Sequence, residues 1–132
     1  MSAWDHWELG RAVVVFAAVA YIVVWVQLSL NHWAGGFRRT VMWAPVLLTP
    51  VVVLGALLGA VSRGSPWGWI ALSLLVLGVV DGLIGLGYHL RGIGSQIGGL
   101  SLRNLLSGPP PMLPIAYAAL GALGIGGLVW GA

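Results

Sequence analysis

The sequence predicts an all-α integral membrane protein, a bundle of four transmembrane helices that run up and down as two hairpins. Of its 132 residues, 59% are hydrophobic and 7% are charged, whereas about 25% of the residues of a soluble domain carry charge. Four apolar segments are long enough to cross a bilayer, and the loops that join them carry unequal numbers of arginines. These observations exclude an ordinary globular domain and a disordered chain.

The four spans are predicted within a single transmembrane domain that covers residues 1–132. Their approximate limits are 12–32, 41–61, 67–90 and 112–130, each close to the ~20 residues that cross the hydrocarbon core. The first is expected to be a retained span, because Asp5 and Glu8 precede it where a signal peptide carries basic residues. These two acids also have the spacing of a capping box, which predicts a helix start before Ala12.

The connection between the third and fourth spans, residues 91–111, is long, rich in glycine and largely apolar. Its leucines predict a short helix near Leu100 to Leu106 that lies in the membrane interface. The triple proline at 109–111 ends this helix and leads into the fourth span.

Arginine sets the predicted orientation, because the loops of a membrane protein that face the cytoplasm carry an excess of basic residues. The two loops on one side hold Arg38, Arg39, Arg91 and Arg103. The other side holds only Arg11 and Arg63, together with Asp5 and Glu8. We therefore expect the four arginines at the cytoplasmic face of a bacterial inner membrane, and the N- and C-termini in the periplasm.

Composition limits the functions further. The basic residues are six arginines in a very apolar chain, which is typical of a membrane edge and not of a nucleic-acid surface. The sequence has no Cys, so Fe–S clusters, thiolate nucleophiles and covalently attached haem are excluded. No metalloprotease motif, paired carboxylates or phosphate-binding lysine is present, so no catalytic activity of its own is expected.

Pairs of glycines four residues apart predict close helix packing, because they make a flat face on which backbones approach each other. Such pairs occur in the second, third and fourth spans: Gly55 and Gly59, Gly78 and Gly82, and Gly127 and Gly131. Their recurrence predicts a compact bundle.

Asp81 is the only acidic residue inside a predicted span, and intramembrane acids are functional candidates. Gln27, Thr49 and Tyr117 lie at comparable depth, so the four residues are predicted to form a polar layer. Pro45 and Pro50 are expected to free backbone carbonyls of the second span near this layer. Two interpretations are open: a proton or ion pathway through Asp81, or a protonated Asp81 that hydrogen-bonds Thr49 or Gln27 and fixes the packing.

His32 and His89 end the first and third spans, so they are predicted at the same depth on the same side. In an up-down bundle these two spans are diagonal neighbours across the core. Two imidazoles that face each other there can ligate one b-type haem, or a pigment. The alternative is that both are interfacial residues, bonded to water or to loop carbonyls.

The leading functional hypothesis is a small accessory or anchor subunit of a larger membrane complex of respiratory or photosynthetic electron transfer, with one b-type haem or pigment as its cofactor. Its expected partners are the lipid bilayer and other integral membrane subunits, and no nucleic acid. One alternative is a small oligomeric transporter or channel centred on Asp81. The other is a structural or lipid-binding membrane protein.

Overall fold

The computed structural model of the chain describes residues 1–130, and all regular structure in that range is helical. The helices are α1 (Leu9–Ala34), α2 (Trp43–Val61), α3 (Trp67–Gly92), α4 (Leu102–Ser107) and α5 (Met112–Val129). A 3-10 turn precedes α2, and a π-helical turn over Ile93–Ile97 continues α3. The four long helices are apolar and long enough to cross a membrane, and they coincide with the four predicted spans.

The long helices form a ring in which each packs against two neighbours. α1 packs against α2 and α5, and α3 packs against the same two helices, so α1 and α3 are diagonal. The start of α1 lies beside the end of α5. A Cβ on Gly10 would meet the backbone carbonyl of Gly127, which shows how closely the two helices approach. This up-down arrangement places the ends of α1 and α3 with the starts of α2 and α5.

The bundle therefore has two distinct ends. The arginine-rich end is formed by residues 35–42 and 91–111 and carries Arg38, Arg39, Arg91 and Arg103. The Arg63 end is formed by residues 1–8, the loop 62–66 and Trp130. α4 belongs to the arginine-rich end and falls where the sequence predicts a short helix.

α1 begins at Leu9, before Ala12, but the predicted capping box is wrong. Glu8 occupies the N-cap position in an extended conformation, and no side chain caps the helix. Asp5 is exposed in a non-helical segment. Residues 1–8 are held instead by bonds to the end of α2 and to Arg63 in the loop that follows it, which the local spacing of two acids does not encode.

Glycines lie where the helices approach most closely. A Cβ on Gly82 would be 2.9 Å from the Cβ of Ala118, and one on Gly59 would be 2.6 Å from the Cβ of Ala71. Each distance is too short for a real carbon–carbon contact, so larger residues would separate the helices. The other predicted packing glycines in described positions are buried at similar contacts: Gly55, Gly78 and Gly127. Gly131 lies outside the described residues.

Arg63 is buried at the Arg63 end, with 2% of its surface exposed. Its Nε donates to the Ser2 carbonyl at 3.0 Å and its Nη1 donates to the Trp130 carbonyl, also at 3.0 Å. Its guanidinium carbon lies 4.1 Å from the centre of the Trp4 ring. Arg63 thus connects the segment before α1 to the end of α5. From the sequence alone, Arg63 was only one of the arginines in the loops between spans.

Pro50 lies inside α2, where it lacks the N–H that would bond the carbonyl of Val46. The indole Nε1 of Trp25 donates to that carbonyl at 2.8 Å. Trp25 lies in the middle of α1, far from the span ends where tryptophan usually concentrates. A hydrogen bond between two helices thus replaces one that α2 cannot form.

Candidate functional site

A cavity of about 450 Å³ opens at the arginine-rich end, between the end of α1, the start of α2, the second half of α3 and the start of α5. This volume lies in the range of small-ligand sites, about 300–1,000 Å³. Much of its wall is apolar and includes Leu28, Ile84 and Leu113. The ionisable side chains on the wall are His32, Arg38, Arg39, Asp81, Tyr88, His89 and Tyr117.

The two predicted histidines reach this one cavity from diagonal helices. His89 Nδ1 lies 2.9 Å from the carbonyl oxygen of Pro110. A carbonyl only accepts hydrogen bonds, so Nδ1 carries the proton and Nε2 keeps a free lone pair. Histidines that bind metals are usually oriented in this way. The bond to a loop carbonyl, expected for a purely interfacial histidine, therefore also leaves a ligating nitrogen.

His32 lies in the last turn of α1, and its side chain makes no hydrogen bond within residues 1–130. A tight turn follows it, in which Gly36 has a φ of 71° and Phe37 a φ of 46°. This left-handed backbone, unusual for Phe, brings the Phe37 ring within 6.2 Å of the His32 ring and stacks it on Trp43 at 4.0 Å. The turn leads directly into the arginines at the cavity mouth.

The four arginines of this end fall into two groups. Arg38 and Arg39 line the cavity, and both are exposed to solvent on its rim. Arg91 and Arg103 are exposed as well, but they are not part of the cavity wall. Only the first pair is therefore placed to meet an anionic group of a ligand in the cavity.

Two of the four predicted polar residues are bonded to each other. Thr49 is fully buried, and its hydroxyl donates to the carbonyl of Pro45 one turn earlier in α2. The hydroxyl oxygens of Thr49 and Tyr117 are 3.0 Å apart. Because the single proton of Thr49 goes to Pro45, Tyr117 is the donor in this second bond. The pair connects the diagonal helices α2 and α5.

Asp81 lies on the wall of the same cavity. Its Oδ2 is buried and has no hydrogen-bond partner within residues 1–130. The predicted bond from Asp81 to Thr49 or Gln27 is not formed. Gln27 is exposed, and its Nε2 donates to Asn31 Oδ1 on the same helix at 3.0 Å. Gln27 thus lies apart from the other three predicted polar residues.

Tyr21 belongs to this region, although the sequence patterns do not single it out as a site residue. It is fully buried, and its ring meets the Tyr117 ring edge to face at 4.9 Å. Its hydroxyl has no partner within residues 1–130 and lies between α3 and α5, where a Cβ on Gly78 or Gly121 would be 2.6 or 2.8 Å away. A tyrosine in mid-span, away from both interfaces, was the sequence signal for it.

The described residues contain no group of three or more His, Asp or Glu side chains that could hold a metal ion by themselves. Two histidines are still enough for a haem, whose ring supplies the remaining ligands of the iron. No protein-family model, no curated protein and no solved structure matches the chain. The cavity is therefore the main evidence on its function.

Proposed function

We propose that this chain is a small integral subunit of a larger electron-transfer complex in a bacterial inner membrane, and that its cavity binds one b-type haem. The observation that carries this proposal is the meeting of His32, His89, Arg38 and Arg39 on one largely apolar cavity of about 450 Å³. A haem combines an apolar ring, an iron that accepts two imidazoles, and two carboxylates, and the wall offers a counterpart for each.

The donor set fits this group. His89 would bind the iron through Nε2, because the Pro110 carbonyl occupies Nδ1. His32 would be the second ligand, and no bond within residues 1–130 competes for its ring. Arg38 and Arg39 would pair with the carboxylates at the rim. When bound, such a haem supplies one-electron transfer between ferrous and ferric iron.

The outer surface of the bundle supports the proposal that the chain is one subunit of a larger complex. Most large apolar side chains of α1 and α3 are exposed, which requires lipid or neighbouring subunits around the bundle. The loops are too short to hold a second redox centre or a catalytic domain. We propose that the electron donor and acceptor belong to other integral membrane subunits.

An absorbance spectrum of the reduced, detergent-purified protein after haem titration tests the cofactor. We expect the band of a six-coordinate b-type haem in the wild type and its loss in His32→Leu and His89→Leu. His6→Leu is the matched control, because His6 is exposed at the Arg63 end, and it should keep the band. Absence of the band from the wild type, or its retention in both cavity variants, would overturn the haem proposal.

The arginine-rich end is proposed to face the cytoplasm, which the excess of arginine there supports. Single cysteines introduced at Ser2 and Ser95 test this orientation, since the chain has no native Cys. An impermeant thiol reagent applied to intact cells should label Ser2→Cys alone. Labelling of Ser95→Cys alone would reverse the orientation, and labelling of both from one side would contradict four spans.

The second candidate is an oligomeric transporter or channel centred on Asp81, which the unbonded Oδ2 on the cavity wall favours. A structural or lipid-binding role is the third. A featureless visible spectrum together with ion flux in vesicles that Asp81→Asn abolishes would favour the transporter. A featureless spectrum without such flux would favour the structural or lipid-binding role.

A further inference from the structure

We propose that Asp81 is a proton-binding site that exchanges protons with water at the arginine-rich end of the bundle and not at the Arg63 end. This exchange is proposed for the cavity without a haem, so its tests do not depend on the proposed cofactor. The inference rests on three features of the structure, namely the carboxyl group, the route that leads to it and the layer that ends this route.

The carboxyl group is available for protonation because nothing in the described chain occupies it. Oδ2 has no hydrogen-bond partner, and Asp81 forms no ion pair within residues 1–130. A buried, unpaired carboxylate is costly, whereas a protonated carboxyl group loses much less on leaving water. The proton comes from a hydronium ion in the cavity, forms an O–H bond with the half-buried carboxylate and leaves one water molecule. Release reverses these steps.

The route is the cavity itself. It extends along α3 from Gly92 to Asp81, and Arg38, Arg39 and Gln96 belong to the same wall. Asp81 precedes His89 by eight residues, which corresponds to about 12 Å along the helix. Water at the exposed rim can thus reach a carboxyl group well below the arginine-rich end.

The layer that ends the route consists of tightly packed side chains just beyond Asp81. Tyr21, Thr49, Val52 and Leu75 have 0% of their surface exposed, and Tyr117 has 2%. These residues come from all four long helices, so the layer spans the whole bundle. Water cannot pass side chains that it cannot contact, and the Arg63 end is therefore cut off from Asp81.

The polar and titratable groups around Asp81 come from every neighbouring helix. α1 contributes Tyr21 and His32, α2 contributes Thr49, and α5 contributes Tyr117. Tyr88 and His89 lie on α3 itself, and Arg38 and Arg39 lie at the rim. None of them hydrogen-bonds the carboxyl group of Asp81 within residues 1–130. The change in protonation is accordingly expected at Asp81 and not in a shared network.

Infrared difference spectroscopy of the protein in lipid nanodiscs tests the site. A change of pH should produce a carboxyl C=O band that Asp81→Asn removes, while the bands of Asp5 and Glu8, which lie before α1, persist. A spectrum without any band that depends on Asp81, across the pH range in which the protein stays folded, would overturn the proposal.

Two glycine substitutions test the route. Gly85 lies on the cavity wall, whereas Gly87, two residues later on α3, faces open space, since a Cβ there would have nothing within 4 Å. After a rapid pH change, Gly85→Leu should slow the appearance of the Asp81 band at least several-fold. Gly87→Leu should leave the rate unchanged. Equal rates in both variants would show that protons reach Asp81 by another route.

Sidedness is tested in sealed vesicles whose protein orientation is measured with the Ser95→Cys label. A pH change on the arginine-rich side should elicit the Asp81 band at once. The same change on the Arg63 side should elicit it only as fast as protons leak across the lipid. A rapid response from the Arg63 side would overturn one-sided access and indicate a pathway through the bundle.

Discussion

At the Arg63 end, polar side chains are paired with backbone carbonyls, whereas at the arginine-rich end several of them are not. Trp4 Nε1 donates to the Gly59 carbonyl at 2.7 Å, and Arg11 Nε donates to the Ala60 carbonyl at 2.8 Å. Both carbonyls belong to the last turn of α2, where backbone carbonyls have no N–H partner within the helix. By contrast, His32 makes no side-chain hydrogen bond within residues 1–130, and Asp81 Oδ2 is buried without a partner there.

This difference separates two uses of buried polar groups. Paired groups fix the structure, and an unpaired buried group costs free energy unless a ligand, a proton or water satisfies it. We therefore expect the paired side chains of the Arg63 end, here called the clamp, to stabilise the bundle. We expect the arginine-rich end to bind a ligand or a proton. Substitutions at the two ends should consequently affect different measurements.

Arg63→Leu is expected to have the largest effect on stability. It removes the charge-assisted bonds from the buried guanidinium to the Ser2 and Trp130 carbonyls, which should lower the free energy of unfolding by about 3 kcal/mol. Thermal unfolding in detergent measures the change, with the exposed Arg103→Leu as its control. Equal melting temperatures for the two variants would show that the clamp does not stabilise the bundle.

Substitution of the two buried tyrosines by Phe should change the free energy of unfolding less, and by unequal amounts. Tyr117→Phe removes the bond to Thr49 and should cost about 1 kcal/mol. Tyr21→Phe removes a hydroxyl that has no partner within residues 1–130, so stability should stay the same or rise slightly. The two melting temperatures are compared with that of the wild type. A greater loss for Tyr21→Phe would mean that its hydroxyl is satisfied in the membrane.

Arg38→Gln and Arg39→Gln should have the smallest effects, and these should appear in binding and not in stability. Exposed ion pairs contribute about 0.5 kcal/mol, so each substitution should weaken haem binding roughly twofold. Arg91→Gln and Arg103→Gln are the controls, because neither lies on the cavity wall. Titration of the purified proteins with haem measures the affinities. Equal losses in all four variants would indicate a general effect of charge.

The sequence predicted the four long helices well because length and hydropathy define a span directly. It did not predict which way a polar side chain points. In a soluble helix the apolar face marks the core, but in a span the lipid-facing side is apolar as well. Gln27 and Thr49 therefore look alike in the sequence, although one is exposed and the other fully buried.

The sequence also did not predict contacts between segments that are distant in the chain. Asp5 and Glu8 have the local spacing of a capping box, yet the segment that contains them is fixed by Arg63, some sixty positions later in the chain. Likewise, the matched depth of His32 and His89 followed from the span limits. The bond from His89 to Pro110 depends on how the loop 93–111 folds back, which no local pattern encodes.

The bond between Trp25 and Val46 also bears on how the chain is assembled. In lipid, α2 alone would expose the Val46 carbonyl that Pro50 leaves without a partner, at a cost of several kcal/mol. With α1 beside it, the indole of Trp25 removes this cost. If the chain spans a membrane as proposed, insertion of α1 and α2 as a pair therefore avoids the unpaired carbonyl that α2 would carry alone.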